Sequence, residues 1–182
     1  QILPIGHPRR TRDDQPRRFL PGADTVHRFD LFPLISDRDY AIAVRAAHRQ
    51  GDQGILWAIG DPTGGMVMWV EGERLRFHYN GFGETTDLPA VPMPQGEATI
   101  ALEYRAHGQR RGEGRITING AEAVPFTPMA PSMVFYGVFE GLDVGLDRRG
   151  PVLWDLYERH GAFPYSGRIR DVTVTPGKRA PR

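Results

Sequence analysis

Short segments in which apolar and polar residues alternate constrain the fold of this chain more than any other feature. The clearest apolar set is Ala98, Ile100, Leu102 and Tyr104. Mainly polar residues lie between them, and a period of two is typical of a β-strand with one buried face. No long segment repeats its apolar residues with the helical period of 3.6. The pattern therefore predicts an all-β chain of roughly ten to twelve short strands.

Turn residues separate the other predicted strands. These strands cover residues 40–46, 54–60, 66–70, 75–79, 85–88, 116–118, 121–126, 133–139, 142–146 and 166–174. Asn119-Gly120 is the strongest hairpin signal in the chain, whereas the polar residues 107–114 are expected to form a mobile hairpin tip. Glycine (22) and proline (16) make up about a fifth of the 182 residues, against roughly 12% in average proteins. This excess favours a fold with many turns.

Three local patterns add detail to this prediction. Residues 54–60 and 66–70 are apolar without alternation, as expected of central strands that are covered on both faces. Between Ile169 and Val172 the alternation slips by one residue, which predicts a β-bulge. Residues 154–157 are expected to form a single helical turn within a long loop.

The composition excludes several classes of protein. The net charge of +1 provides no overall field that would attract nucleic acid or an anionic membrane. No apolar run approaches the roughly 18 residues of a membrane span. The absence of cysteine excludes disulfides and thiolate chemistry, and it fits a cytoplasmic protein as well as a periplasmic one. We expect neither a nucleic acid nor a membrane as partner.

The distribution of breaker residues divides the chain into three parts. Residues 1–24 contain five arginines, four prolines and two glycines, and we expect them to be a linker from a preceding domain. Residues 25–176 are expected to form one β-sandwich. Residues 177–182 form a basic segment that is expected to be a flexible tail.

Several of these segments resemble a known family. The C-terminal residues 139–174 follow the pattern L-D-V-G-x-D, G-x-V and F-x-(Y/F)-(S/T)-G-x-I-x-x-V-x-V. Residues 54–60, 64–70 and 75–83 are similar to three further family segments, in the same order. Together they resemble the C-terminal domain of bacterial arylsulfatases of the alkaline-phosphatase-like superfamily, over roughly residues 25–176.

The resemblance implies a fold and a role. The fold is an all-β, two-sheet antiparallel jelly-roll sandwich of the concanavalin A-like lectin and glucanase type. The role is a non-catalytic domain of a sulfuric ester hydrolase, which packs on an upstream catalytic domain in the same chain and shapes the substrate cleft or the oligomer. A self-standing carbohydrate-binding, lectin-like module is the alternative.

Catalytic motifs of the related enzymes are missing from the sequence. The sulfatase nucleophile lies within C/S-x-P-x-R, and none of the serines (Ser36, Ser132 and Ser166) is followed by that pattern. Glucanases of this fold carry carboxylates spaced as E-x-D-x-x-E, which brings them to the separation that glycosidic cleavage needs. Neither Glu71 with Glu73 nor Glu97 with Glu103 reproduces that spacing. The chain is therefore predicted not to be an enzyme.

Two groups of residues are candidates for binding. Tyr79, Phe82 and Trp154 lie at strand ends or in loops, where an aromatic ring can stack on a sugar or border a cleft. Asp143 and Asp147 place two carboxylates at a strand end, which suits Ca²⁺; hydrogen bonds that order the loop are the alternative. The aromatic residues Trp57 and Trp69 lie within apolar strands and are expected in the core.

Overall fold

The computed structural model describes residues 14–131 and 140–181. In chain order its elements are β1 (Arg17–Phe19), α1 (Arg28–Ile35), β2 (Arg38–His48), β3 (Gly54–Asp61), β4 (Gly64–Glu71), β5 (Arg74–Gly81), β6 (Glu84–Pro92), β7 (Gly96–Gly108), β8 (Arg111–Ile118), β9 (Ala121–Met129), β10 (Leu142–Val144), α2 (Trp154–His160) and β11 (Arg168–Arg179).

The strands form two sheets in which all neighbours are antiparallel. Counting the strands of the described residues, the six-stranded sheet has the order β1-β11-β2-β7-β8-β9, and the five-stranded sheet has the order β10-β3-β4-β5-β6. Apolar side chains of the two inner faces meet in one core, which includes Ile42, Val44 and Ile100 on one side and Trp57, Met68 and Phe77 on the other. The fold is the predicted two-sheet antiparallel jelly-roll sandwich.

A second, smaller core lies on the outer face of the five-stranded sheet. Every residue of β3 is buried, and β4 is buried from Gly64 to Val70. The outer side chains of these strands pack against Val152, Leu156 and Phe163, which belong to the connection that carries α2. The prediction of strands covered on both faces is therefore confirmed.

The turns follow the local sequence closely. Asn119 and Gly120 both have positive φ angles, of 51° and 80°, as a two-residue hairpin turn requires. The register of β11 against β2 shifts between Ile169 and Asp171, so the predicted β-bulge is confirmed. Among the described residues, no helix is long and apolar enough to cross a membrane.

Several boundaries differ from the expectation. Residues 107–114 are not a long polar tip, because β7 continues to Gly108 and β8 begins at Arg111. Residues 17–19, expected to be linker, pair with β11 as an edge strand. In the expected tail, β11 continues to Arg179, and Ala180 N–H donates to the Asp37 carbonyl at 3.0 Å.

The helix α1 was not expected at all. Its one internal proline, Pro33, disfavours a helix in the sequence. Leu31, Leu34 and Ile35 nevertheless lie in the main core, so tertiary packing stabilises this short helix. The predicted strand at 133–139 lies outside the described residues.

Trp57 tests the contribution of the core to stability. Its ring is fully buried, and its indole N–H has no hydrogen-bond partner in the part of the chain that the structure describes. We expect Trp57→Ala to lower the free energy of unfolding by about 3–5 kcal/mol, because it leaves a large cavity. Trp57→Phe should stay within about 1 kcal/mol of the native chain, because it also removes an unpaired buried donor. Urea unfolding of both variants measures this, and equal losses in the two would contradict the expectation.

Candidate functional site

The uncovered part of the outer face of the five-stranded sheet forms a groove. The connection with α2 covers β3 and β4, and no other described residue covers β5 and β6 on this side. The resulting groove has a volume of about 640 Å³, which lies within the usual range of ligand-binding clefts. Its lining includes Trp69, Arg76, His78, Asn80, Asp87, Val152, Trp154, Asp155 and Arg159.

The floor of the groove comes from alternate residues of β5. Arg76, His78 and Asn80 lie on the outer face, since Leu75, Phe77 and Tyr79 occupy the core face of the same strand. His78 Nδ1 lies 2.8 Å from Asp87 Oδ1 on β6. A carboxylate can only accept, so Nδ1 carries the proton, and Nε2 is an acceptor while the ring is neutral.

Asn80 orders the end of the groove rather than offering free polar atoms. Its side-chain amide donates to the Pro62 carbonyl at 3.0 Å, and its Oδ1 accepts from Gly83 N–H at 2.7 Å. These bonds tie the turn after β3 to the turn after β5. Asn80 therefore acts as a structural residue at this site.

Trp154 forms the wall of the groove at the start of α2. Its side chain is 52% exposed, and its Nε1–H donates to Glu158 Oε1 at 2.9 Å. The ring centroid lies 5.5 Å from that of Tyr157. Because the one polar atom of the indole is already bonded, the ring is held in place with an exposed apolar surface, as a stacking platform requires.

Glu71 at the end of β4 attaches α2 to the sheet. Its carboxylate lies 2.6 Å from His160 Nε2 and 3.3 Å from an Arg159 nitrogen. Trp69 Nε1–H also donates to it, at 3.4 Å. Burial raises the pKa of Glu71, but the hydrogen bonds from His160 and Trp69 and the charge of Arg159 together hold it below its usual value. These contacts keep the wall of the groove in a defined position.

The structure separates the three predicted aromatic contacts. Trp154 lines the groove. Tyr79 does not fit the prediction: its side chain is 1% exposed inside the main core, and its hydroxyl points to the Pro131 carbonyl at 3.4 Å. Phe82 is exposed at the turn between β5 and β6, with a positive φ of 62°, but it is not part of the groove lining.

The predicted calcium ligands lie near the opposite edge strand, β10. Asp143 is buried and accepts hydrogen bonds from Thr25 Oγ1 at 2.7 Å and from Arg148 N–H at 2.9 Å. Within residues 14–131 and 140–181, no group of three or more acidic or histidine side chains is placed to hold a metal ion. The two aspartates thus order the loop, which was the alternative interpretation, and the calcium site stays a prediction.

Two carboxylates, those of half-buried Asp147 and buried Glu140, hold the loop that leads into the groove wall. Asp147 accepts from Val152 N–H at 2.8 Å, and Glu140 accepts from Gly150 N–H at 3.0 Å. The second carboxylate oxygen of each residue is buried, and within residues 14–131 and 140–181 it has no hydrogen-bond partner. Burial, together with the charges of Asp143 and nearby carboxylates, raises the pKa of Asp147 to about 7. Burial likewise raises the pKa of Glu140.

Four residues of the groove lining were not among the predicted site residues: Arg76, His78, Asp87 and Arg159. The alternation in β5 does place Arg76 and His78 on a polar face. That signal is shared by the polar faces of several strands, however, and it does not indicate which face carries a groove. Arg159 reaches the site only because α2 folds back onto β4.

Solved structures with a similar fold have low sequence identity to this chain. Domains LG4–5 of the mouse laminin α1 chain match with a TM-score of 0.49 and 11% identity, over 90% of this chain and 38% of that chain. A heptameric SAP-like pentraxin from Limulus polyphemus matches with a TM-score of 0.43 and 12% identity, over 89% of this chain and 76% of the pentraxin. Alginate lyase Aly36B matches with a TM-score of 0.40 and 12% identity, over 92% of this chain and 82% of the lyase.

All three TM-scores lie below 0.5, so these likenesses support no conclusion about what this chain does. None of the three proteins is a sulfatase. No family model matches the sequence, and no curated protein matches it. The arylsulfatase resemblance stays a prediction from the sequence.

The raised pKa of Asp147 predicts a pH dependence of stability. The pKa of this carboxyl is 3.8 in the unfolded chain and about 7 in the folded chain. Between these two pH values the folded chain holds a proton that the unfolded chain loses. Stability should therefore fall as the pH rises through this window, by roughly 2–4 kcal/mol from this group. Asp147→Asn removes the titration and should be more stable than the native chain at pH 8, with little difference at pH 4.

Urea unfolding of both proteins at several pH values measures the effect. Comparing the two proteins cancels the titrating groups that do not interact with Asp147. A difference in unfolding free energy that is the same at pH 4 and pH 8 would contradict the assignment.

Proposed function

We propose that this chain is a non-catalytic, carbohydrate-binding β-sandwich module whose ligand lies in the groove over β5 and β6. The exposed ring of Trp154 beside the polar floor of Arg76 and His78 is the observation that carries the proposal. Saccharide sites combine an aromatic surface, which covers the apolar face of a sugar ring, with polar groups that meet its hydroxyls.

Each group has a defined part in this proposal. Trp154 stacks on one sugar ring at the wall. Arg76 donates hydrogen bonds to hydroxyl or ring oxygens, since a guanidinium has only donors, and neutral His78 accepts from a hydroxyl through Nε2. Glu71 and the loop 147–152 act through α2, because they hold Trp154 in position.

The tryptophan tests this proposal most directly. We expect Trp154→Ala to weaken the binding of a neutral hexasaccharide by about fivefold or more, because a central aromatic contact contributes about 1 kcal/mol or more. Phe29→Ala is the matched control, since Phe29 is an exposed aromatic residue on α1 outside the groove. Isothermal titration with cello-, xylo-, manno- and laminarihexaose gives the affinities.

The same titrations can reject the proposal. If none of the hexasaccharides binds, or if binding survives unchanged in Trp154→Ala, the groove is not the saccharide site. An equal loss in Phe29→Ala would show that the effect is not local. Thermal unfolding of each variant separates lost binding from lost folding.

We also propose a parent protein for this module: an arylsulfatase-like hydrolase, with the module at its C-terminal end and packed on the catalytic domain. The ordered matches at residues 54–60, 64–70 and 75–83 support this. Several matching residues serve the fold itself: a Cβ on Gly65 would lie 2.2 Å from the Ile59 carbonyl oxygen. The support for a sulfatase parent therefore comes from the resemblance as a whole, not from residues of the groove.

The size of the native polypeptide tests this second proposal. An antibody raised against the chain should detect a band several times larger than 20.4 kDa in the source organism. Sulfatase activity that is removed with that antibody would support the parent enzyme. A band near 20 kDa would contradict it and leave the self-standing module.

A further inference from the structure

A second concave site lies on the opposite side of the sandwich from the groove. It is a depression of about 480 Å³ on the outer face of the six-stranded sheet. Three arginines line it, one each from β1, β2 and β11: Arg18, Arg45 and Arg170. Polar side chains complete the lining, among them Thr99 and Asn119.

A buried carboxylate holds two of these arginines in place. Asp171 is 1% exposed, and it lies opposite Arg45 because of the bulge in β11. Arg18 Nε donates to one carboxylate oxygen at 2.6 Å, and Arg45 Nε donates to the other at 2.9 Å. Arg45 Nη2 forms a further hydrogen bond to the same carboxylate. The hydrogen bond from Arg45 holds the pKa of Asp171 below its usual value, so this carboxylate stays charged.

The contacts leave both guanidinium groups with unused donors. A guanidinium carries five N–H groups in one plane, and Asp171 engages only one side of each. The side chain of Arg45 is still 53% exposed, and that of Arg18 is also largely exposed. Asp171 thus fixes the orientation of both guanidinium groups from the side of the sheet. Their other N–H donors remain accessible from the solvent side.

Positive charge exceeds negative charge in this region. Arg170 pairs with Glu97 at 2.5 Å across the depression. The pKa of Glu97 is lowered first by that hydrogen bond and also by the charges of Arg168 and Arg45. The two carboxylates of this region, Glu97 and Asp171, therefore face four arginines, which are the three that line the depression and Arg168 beside it. This leaves an excess of two positive charges.

We propose that this depression binds the sulfate or carboxylate groups of an acidic polysaccharide. Planar guanidinium groups that are already oriented match the paired oxygens of such anions and form charge-assisted hydrogen bonds with them. Thr99 and Asn119 supply polar groups next to the arginines, where the hydroxyls of a sugar can bind. The excess positive charge favours an anion over a neutral chain.

A saccharide fits this surface better than a nucleic acid. Single-stranded nucleic acids bind through aromatic side chains that stack on the bases. Among the described residues that line the depression, none is aromatic. The net charge of +1 also provides no extended field for a phosphate backbone.

Binding to matched polymers tests the proposal. The full chain is titrated with dextran sulfate, unsulfated dextran, polygalacturonate and a single-stranded oligonucleotide at about 0.1 M NaCl. We expect binding to dextran sulfate, to polygalacturonate or to both, weakening as salt is added, and none to dextran. Which of the two polyanions binds identifies the anionic group as sulfate or carboxylate.

Three glutamine variants locate the site. Arg45→Gln and Arg170→Gln should each weaken polyanion binding about five- to tenfold. Arg105→Gln is the control, because it removes the same charge from the same sheet but outside the depression. The side chain of Arg105 has a similar exposure of 55%. This variant should change binding less than twofold. Among the described residues Arg170 pairs with exposed Glu97 and not with Asp171. The Arg170 variant therefore keeps the test valid if loss of Arg45 disturbs folding around Asp171.

Several outcomes would overturn the proposal. These are no binding to either polyanion, an equal loss in Arg105→Gln, or tighter binding of the oligonucleotide than of both polyanions. Trp154→Ala should leave polyanion binding unchanged, because Trp154 lies on α2, which packs on the outer face of the other sheet. Failure of this site and failure of the groove are thus distinguishable.

Discussion

The packing of the α2 connection on the outer face of β3 and β4 is the contact on which the rest of the site depends. A sandwich needs only its inner core to fold, and the outer faces of its sheets can stay in water. Here Val152, Leu156 and Phe163 cover half of one outer face. The covered half gains a second apolar core, and the uncovered half becomes a groove with a wall.

Polar contacts then set the position of that wall. Glu71 collects hydrogen bonds and charges from α2 on one side, and Asp147 and Glu140 hold the preceding loop on the other. A carboxylate oxygen that is buried without a partner, as one oxygen of Asp147 and one of Glu140 are among the described residues, carries a cost in stability. In this chain the cost arises in the loop that precedes α2. The position of that loop determines where Trp154 lies.

The two outer faces differ in chemistry as a result. The groove offers an aromatic ring with hydrogen-bonding groups, and its arginine and acidic side chains are largely paired. The opposite face offers arginines that a buried aspartate orients, with positive charge in excess. The first suits the apolar face and hydroxyls of a neutral sugar, and the second suits an anionic group.

The sequence by itself determined the fold class, most of the strands, the hairpin at Asn119-Gly120 and the bulge near Asp171. These features depend on side-chain period and on backbone preferences, which are local. Alternation in β5 even placed Tyr79 on the apolar face, so its prediction as a sugar contact was at odds with the pattern of its own strand.

Only the tertiary structure decided which polar face became a groove, that Arg159 and Trp154 meet β5 there, and that β1 joins the sheet. It also decided that α1 forms despite Pro33. These outcomes depend on contacts between segments far apart in the chain, such as Glu71 with His160 and Asp171 with Arg18. Local periodicity carries no information about such pairs.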